Sequence, residues 1–455
     1  MGRPAIELIV EALVRSLHLT NSWHASSGGI ATFYRSLMEA ANRRGQRMVL
    51  IVPGEKEKVE EVGDCGRIYQ VASRPAPVNR EYRVMTPFTY LRGGSRLRKI
   101  LEAERPDLVE VCDKYTLNYF AGMLRVGMFR DVACRPLVVG LSCERMDDNV
   151  RAYLGWNQLA PRVVSFYMKW LYFCLHDHHI ANSAYTAEEL RPASIGHPIR
   201  RGVWVRPMGV DCRGLSPARR SASFRGELQK RARGNDRTRL LLYVGRLVPE
   251  KNLALLLDTL AFLGEQHERE WRLILAGDGI GRADFLSAGA RRFADCVTWL
   301  GHVRDRDELA QIYANCDVFL HPNPCEPFGI APLEAMASGL PLVAPNRGGV
   351  LSYANPENAW IVPPTGEAFA QAVREVVFDD ALRRRRVANA LTTAESFRWE
   401  KVADSFLDLY EDLLRLRAGE LARFEADFTS TIPEGGPSPI ARLTAGVLER
   451  LLATH

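Results

Sequence analysis

The sequence predicts an α/β chain built as two Rossmann-like domains that face each other across a central cleft. Three observations predict it. Short apolar runs bounded by turn residues, such as Leu137-Val138-Val139, alternate with helical segments, as in parallel sheets covered on both faces. The length, 455 residues, suffices for two such domains and an extension, each with its own core. Between two series of these units, residues 217–236 are polar, basic and loop-like, so the boundary falls there. The expected division is an N-terminal extension at 1–13, a first domain at 14–211 and a second at 212–396. A closing helix at 397–416 and a C-terminal extension at 417–455 complete the chain.

Composition narrows the class. Hydrophobic residues at 47% and charged residues at 25% are ordinary for a globular protein. The 60 Lys and Arg against 54 Asp and Glu, a net +6, suit anionic ligands or an anionic membrane surface and do not argue for nucleic acid. Nine scattered cysteines without a Cys-x-x-Cys pair suggest neither a disulfide framework nor a zinc site. Glu7 and Glu11 stand where a signal peptide would be uncharged, and the apolar run at 163–175 is too short to span a bilayer and contains Lys169. The expectation is a cytoplasmic protein, soluble or peripheral at the inner membrane face. Its oligomeric state is not legible.

In the first domain, residues 1–13 read as a short amphipathic helix and residues 14–20 as the first strand. A loop through His24, Gly28 and Gly29 then leads into a helix at about 31–44. Without a Cβ at either glycine, backbone can approach a phosphate or sugar there, though a plain turn explains a Gly-Gly pair equally. Strands are expected at 47–52, 106–111 and 136–141. Residues 74–105 interleave basic side chains, Arg80, Arg83 and Arg98 among them, with Tyr82, Phe88 and Tyr90. Such a run reads as a solvated face or, more sharply, as an acceptor or membrane-surface patch. The aromatic cluster of Tyr153, Trp156, Phe166, Tyr167, Trp170, Tyr172 and Phe173 is assigned to the core. A strand from 180 runs into a helix for which Thr186 to Glu189 resemble a capping box, and 205–211 form the last strand and hinge.

The second domain opens with an apolar strand from 239 that brings Gly245, Arg246 and Lys251 to its C-terminal end, where a helix at 253–265 begins. Two cations beside a helix start suit a diphosphate, Arg as a planar fork and Lys as a mobile point charge. Strands at 271–276 and 297–303 follow; Gly277, Gly279 and Gly281 only partly imitate a dinucleotide fingerprint. The whole chain is organised around residues 321–349. There a buried strand passes through a Pro- and Gly-bearing loop into a helix with Pro332 in its first turn. In an open α/β sheet such a junction binds ligands, because the strand ends open onto a crevice and unpaired helix N–H groups face an anion. Glu326 and Glu334 stand there with seven residues between them. Carboxylates accept hydrogen bonds, often two at once, so vicinal hydroxyls of a sugar or ribose are their natural partners.

Glu326-Pro327-Phe328-Gly329, the run from Glu334-Ala335-Met336-Ala337 to Leu342-Val343, and Gly348-Gly349 resemble the E-x(7)-E signature of retaining GT-B glycosyltransferases of family four. The resemblance is strongest in the second domain. It implies a GT-B fold and transfer of a hexosyl unit, with retention, from a nucleotide diphosphate sugar to a hydroxyl acceptor, with neither metal nor further cofactor. Carried onto this sequence, it has Arg246 and Lys251 neutralise the leaving diphosphate while Glu326 orients the sugar. The N–H groups of Phe328, Gly329 and Ile330 lie nearby, and Glu334 holds the ribose. Gly28, Gly29, Gly245 and Gly277 border the donor, Val303 edges the base, and His24 is a further candidate for sugar or acceptor contact. Asp305-Arg306-Asp307 looks like the D-x-D of metal-dependent glycosyltransferases but is read as a helix cap.

The sequence departs from the family pattern in the loop at 142–147. Members commonly carry a histidine there, near the donor sugar, and by register Cys143 occupies its place. A thiol can replace a weak hydrogen bond but not the proton chemistry of an imidazole, so Glu144 and Arg145 are candidates for the polar contacts. The loop itself and residues 109–117 look like those of bacterial mannosyltransferases acting on phosphatidylinositol; that likeness makes a lipid a reasonable acceptor, with a glycan the other reading, and GDP-mannose a candidate donor beside a UDP-sugar. A GT-B nucleotide-sugar epimerase and a non-catalytic nucleotide-sugar binder are the alternatives.

Overall fold

The computed structural model describes residues 14–23, 28–76, 82–154, 160–194, 202–264, 271–293 and 296–430. Two sheets organise it. The first contains β1 (Arg15–Thr20), β2 (Arg47–Gly54), β3 (Lys58–Val62) and β4 (Gly66–Ala72). A two-residue ladder of β5 (Arg74–Pro75) and β6 (Arg83–Val84) stands apart, and β7 (Leu108–Cys112), β8 (Leu137–Ser142), β9 (His178–Ala181) and β10 (Val203–Val205) complete the sheet. Its order is β10-β9-β8-β7-β1-β2-β4-β3, parallel except for β3 against β4. The central strands are buried on both faces, so β8 reads as a nearly continuous apolar run, while β1 and β7 also bury the polar side chains Ser16, His18, Thr20 and Glu110.

The second sheet, ordered β13-β12-β11-β14-β15-β16, is parallel throughout. Its strands are β11 (Arg239–Val244), β12 (Trp271–Ala276), β13 (Val297–Gly301), β14 (Val318–Leu320), β15 (Leu342–Pro345) and β16 (Trp360–Val362). In each sheet the chain order reverses once, at β1/β7 and at β11/β14. At such a switch point neighbouring loops leave in opposite directions, and a crevice opens beyond the strand ends.

The last helix, Trp399–Ser430, returns to the first domain. Phe406, Leu409 and Leu413 share one buried cluster with Phe33 and Leu37 of the helix Gly28–Arg43, and also with Leu333 and Met336 of the second domain. At its centre is Glu110 of β7, fully buried. Its carboxylate accepts hydrogen bonds from Tyr34, at 3.1 Å, and Tyr410, with His18 Nδ1 3.1 Å away.

Several sequence expectations need correction. Gly28 and Gly29 lie in the first turn of their helix, not in the loop before it. The stretch taken as a polar linker contains the helix Ala222–Arg231, capped by Ser221 Oγ and anchored by buried Leu228. Ser183, not Thr186, caps the helix Ala184–Ser194, its Oγ accepting the Thr186 N–H at 3.0 Å. The closing helix runs to Ser430, beyond the expected end at 416, since no proline interrupts it. Of the aromatic cluster assigned to the core, Tyr172 and Phe173 are buried, whereas Phe166 is 62% and Trp170 59% exposed. In the basic segment, Tyr90 and Arg98 are buried while Phe88 points outward. The segment at 1–13, His24, Trp156 and residues 431–455 lie outside the described residues.

Candidate active site

A cleft of about 860 Å³ lies where the switch points of the two sheets face each other. From the second domain it is lined by Gly245, Arg246 and Lys251 after β11, and by His321, Asn323 and the loop from Pro324 to Pro332 after β14. From the first domain come Asn21 and Gly29 after β1, Asp113 and Lys114 after β7, and Cys143, Glu144 and Arg145 after β8. Residues more than 300 positions apart thus share one cavity, as Gly29 and Ile330 illustrate: a Cβ on the glycine would lie 2.9 Å from the isoleucine Cδ1.

Glu326 is the most constrained group there. Lys251 Nζ donates to both of its oxygens, at 2.9 and 2.7 Å, and Asn323 Nδ2 donates to Oε2 at 3.0 Å. Burial alone would raise the pKa of this carboxyl, but Lys251, His321 and Asn323 outweigh it and hold the value down at about 2. Glu326 is therefore a fixed carboxylate. Arg246 is more open, 49% exposed, with Nη2 3.2 Å from Glu250 Oε1. Of the three, Lys251 and Glu326 are in contact and Arg246 lines the same cleft.

The loop carrying Glu326 is braced from both sides. The Pro327 carbonyl accepts from Ser183 Oγ at 2.5 Å and Thr186 Oγ1 at 3.3 Å, both from the first domain. Behind it, a Cβ on Gly349 would lie 1.9 Å from the same oxygen, so the Gly-Gly pair allows the two loops to touch.

Other predicted residues lie elsewhere. Glu334 does not line the cleft: Tyr313 donates to its Oε2 at 2.9 Å and Arg306 reaches Oε1 at 3.4 Å, while burial raises its pKa against both. Val303 packs on the core. Gly277 sits one layer behind, donating to the Gly301 carbonyl at 2.7 Å, and a Cβ there would strike the Gly245 carbonyl at 1.9 Å. Asp305 caps the helix Arg306–Asn315, as its sequence context predicts. Arg145 lines the cleft with its guanidinium committed to Asp147, at 3.0 and 2.7 Å, and to the Tyr185 carbonyl, so it is poorly placed to replace an imidazole. A hydrogen bond with Cys112 and burial raise the pKa of the Cys143 thiol well above its usual value, leaving it neutral. Burial likewise raises that of Glu144.

Sequence reasoning passed over three residues. Lys114, 1% exposed, bonds Glu189 Oε2 at 2.6 Å and fixes the backbone of Glu144. It follows a buried strand, the signal that had marked Arg246. Asn323 and His321 lie in the central stretch, but their side chains gave no spacing signal.

Two parallel α/β domains with opposed switch points, a fixed carboxylate and two cations between them define a nucleotide-sugar enzyme of the GT-B class. Residues 27–213 match the family described as Glycosyltransferase Family 4, and residues 224–393 that described as Glycosyl transferases group 1. The chain belongs to these glycosyltransferases and is a hexosyltransferase. It is 28% identical over 400 residues to a GDP-mannose-dependent alpha-(1-6)-phosphatidylinositol dimannoside mannosyltransferase of Mycobacterium tuberculosis, covering 87% of this chain and 95% of that protein. A GDP-mannose-dependent alpha-mannosyltransferase of the same species is also 28% identical, over 90% of this chain and 99% of its own. Among solved structures, sucrose-phosphate synthase from Thermosynechococcus elongatus shares the fold with a TM-score of 0.70 at 20% identity, covering 88% of this chain and 99% of that one. Anabaena HepE in complex with UDP and glucose does so with 0.61 at 18%, covering 87% and 99%.

Proposed function

We propose that the protein transfers mannose, with retention, from GDP-mannose to a hydroxyl of an inositol-containing anionic phospholipid. The observation that carries the reaction type is the ionised Glu326, held by Lys251 and Asn323 in the same crevice as Arg246. The diphosphate would lie against Arg246 and Lys251, whose charges stabilise the negative charge growing on the leaving group. Glu326 accepts sugar hydroxyls and fixes the ring, and Glu334 is proposed to hold the ribose after its arginine and tyrosine partners adjust. Retention without a protein base follows if a leaving-phosphate oxygen takes the acceptor proton on the face from which the nucleotide departs. Closure of the cleft excludes water that would hydrolyse the donor. The base, the sugar and the lipid are supported by the two mycobacterial relatives.

A peripheral position at the membrane is part of the same proposal. Val163, Phe166, Trp170 and Leu171 are exposed along one short helical stretch beside Arg162 and Lys169. The same stretch is tied to the cleft by Tyr167, whose hydroxyl donates to the Lys114 carbonyl at 2.5 Å. Aromatic and basic side chains together favour an anionic interface, and this one would bring the cleft to the head groups. Titration calorimetry with GDP, UDP and GDP-mannose tests the donor: the guanine ligands bind and UDP does not. Equal binding of UDP would overturn the choice of base.

A further inference from the structure

Among the described residues, His321 presents an orphan to the cleft. Its side chain is 5% exposed, it lines the cavity, and Nε2 has no hydrogen-bond partner. Buried polar atoms are rarely left so, and each one calls for an explanation. The position is not casual: His321 follows β14 at the switch point and interacts electrostatically with Glu326 and Lys251. Burial, aided by Lys251, lowers its pKa to about 4, so the ring is neutral near pH 7. Its backbone hydrogen bond with Asn323 favours the protonated ring, as a bond donated by the imidazole does. Since Nε2 has no partner, the ring proton is assigned to Nδ1 on the Asn323 side, which leaves a lone pair on Nε2.

We infer that His321 is a specificity-determining residue whose Nε2 accepts a hydrogen bond from one hydroxyl of the donor hexose. This inference rests on the proposed transfer reaction and deepens it. Glu326 and His321 form adjacent acceptors, one anionic and one neutral, against a ligand rich in hydroxyl donors. Arg246 and Lys251 remain for the diphosphate and Glu326. A carboxylate or the fully ionised diphosphate of a nucleotide sugar, which carries no proton to donate near neutral pH, would gain nothing from a lone pair there. The required ligand class is therefore a polyol such as a hexosyl group.

The test compares GDP-mannose with its 2-, 3-, 4- and 6-deoxy analogues as donors, for the wild-type protein, His321→Phe and His321→Gln. A site that hydrogen-bonds a hydroxyl rejects the analogue lacking it, since the acceptor is then left unpaired. Besides any loss at the hydroxyls that Glu326 accepts, the wild type is expected to lose about 10- to 100-fold in kcat/KM with the analogue lacking the hydroxyl that meets His321. His321→Phe should lose that discrimination at the same position and at no other. His321→Gln, which can return an oxygen near the place of Nε2, should recover part of it. GDP affinity, measured alongside, stays within about threefold in all three proteins because His321 faces the sugar and not the nucleotide. Discrimination unchanged in His321→Phe, with GDP binding and transfer intact, overturns the role of His321 and leaves the transferase reading standing. A wild-type protein that binds no guanine nucleotide overturns both. If His321→Phe no longer melts cooperatively, the folded His321→Gln variant decides: discrimination reduced at one position and wild-type at the others supports the assignment, and full wild-type discrimination at every position contradicts it.

Discussion

Glu326 stays ionised because the Lys251 ammonium and the Asn323 amide face a carboxylate that burial alone would neutralise. Its pKa is about 2 in the folded protein, below the 4.5 of a free side chain, so the native state favours the deprotonated form. The sign follows: this contribution to stability is fully present above about pH 4.5 and is lost as pH falls through about 2. Glu326→Gln should flatten the dependence of stability on pH across that window, as read by denaturant titrations at successive pH values. An unchanged slope would contradict the assignment. With its charge acting on the departing diphosphate, as proposed, Arg246→Ala should lower kcat about 100-fold or more while leaving guanosine binding within a few fold. Equal losses in both would count against that role. Arg246, Lys251 and Glu326 were legible because each follows a buried strand at a sheet end, where sequence order alone implies a ligand. His321 and Asn323 were not. Nothing in their spacing reveals which side chain finds a hydrogen-bond partner, and that depends on packing from distant segments. Glu334 was legible as a carboxylate near the site, but its bonds to Tyr313 and Arg306 were not, since both partners lie on the preceding helix.

The loop between β14 and the helix Ile330–Ala337 is the element on which the site depends. Its Pro327 carbonyl is gripped by Ser183 and Thr186 from the opposite domain and backed by Gly349. Gly349→Ala would drive a methyl carbon into that carbonyl, which Gly349 would otherwise leave 1.9 Å from the Cβ position. The loop must move, and displacement of a catalytic group by about 1 Å can cost on the order of 100-fold in rate. Turnover should fall by that order and the melting temperature by several degrees; wild-type kinetics in this variant would show that the loop tolerates movement. Strands were easier to read than helices at this scale. β8 and β11 are almost wholly apolar, and β1, β7 and β12 carry enough apolar residues between turn signals that all five stood out. The helix Ala222–Arg231 did not, because its buried side is narrow, with Leu228 and Gln229 the residues it buries.

Across the whole molecule, the closing helix ties the second domain to the buried carboxylate of the first, so the cleft is bounded by two sheets and spanned by one cluster. The exposed side of the stretch at 160–172 adds a surface that the sequence placed in the core, since its spacing suits burial but no described residue covers it. Phe166→Ser with Trp170→Ser should weaken co-flotation with phosphatidylinositol-containing vesicles at least several-fold and leave GDP binding unchanged. Equal flotation would remove this surface from the account. The overall claim is glycosyl transfer from a guanosine diphosphate sugar to a lipid. The measurement that tests it most directly is incubation of the purified protein with GDP-mannose and phosphatidylinositol vesicles, followed by analysis of the lipid and of the anomeric centre. The expected result is GDP release matched by an α-mannosyl lipid, both abolished in Arg246→Ala. GDP release without a mannosylated lipid, or a β-linked product, would contradict it.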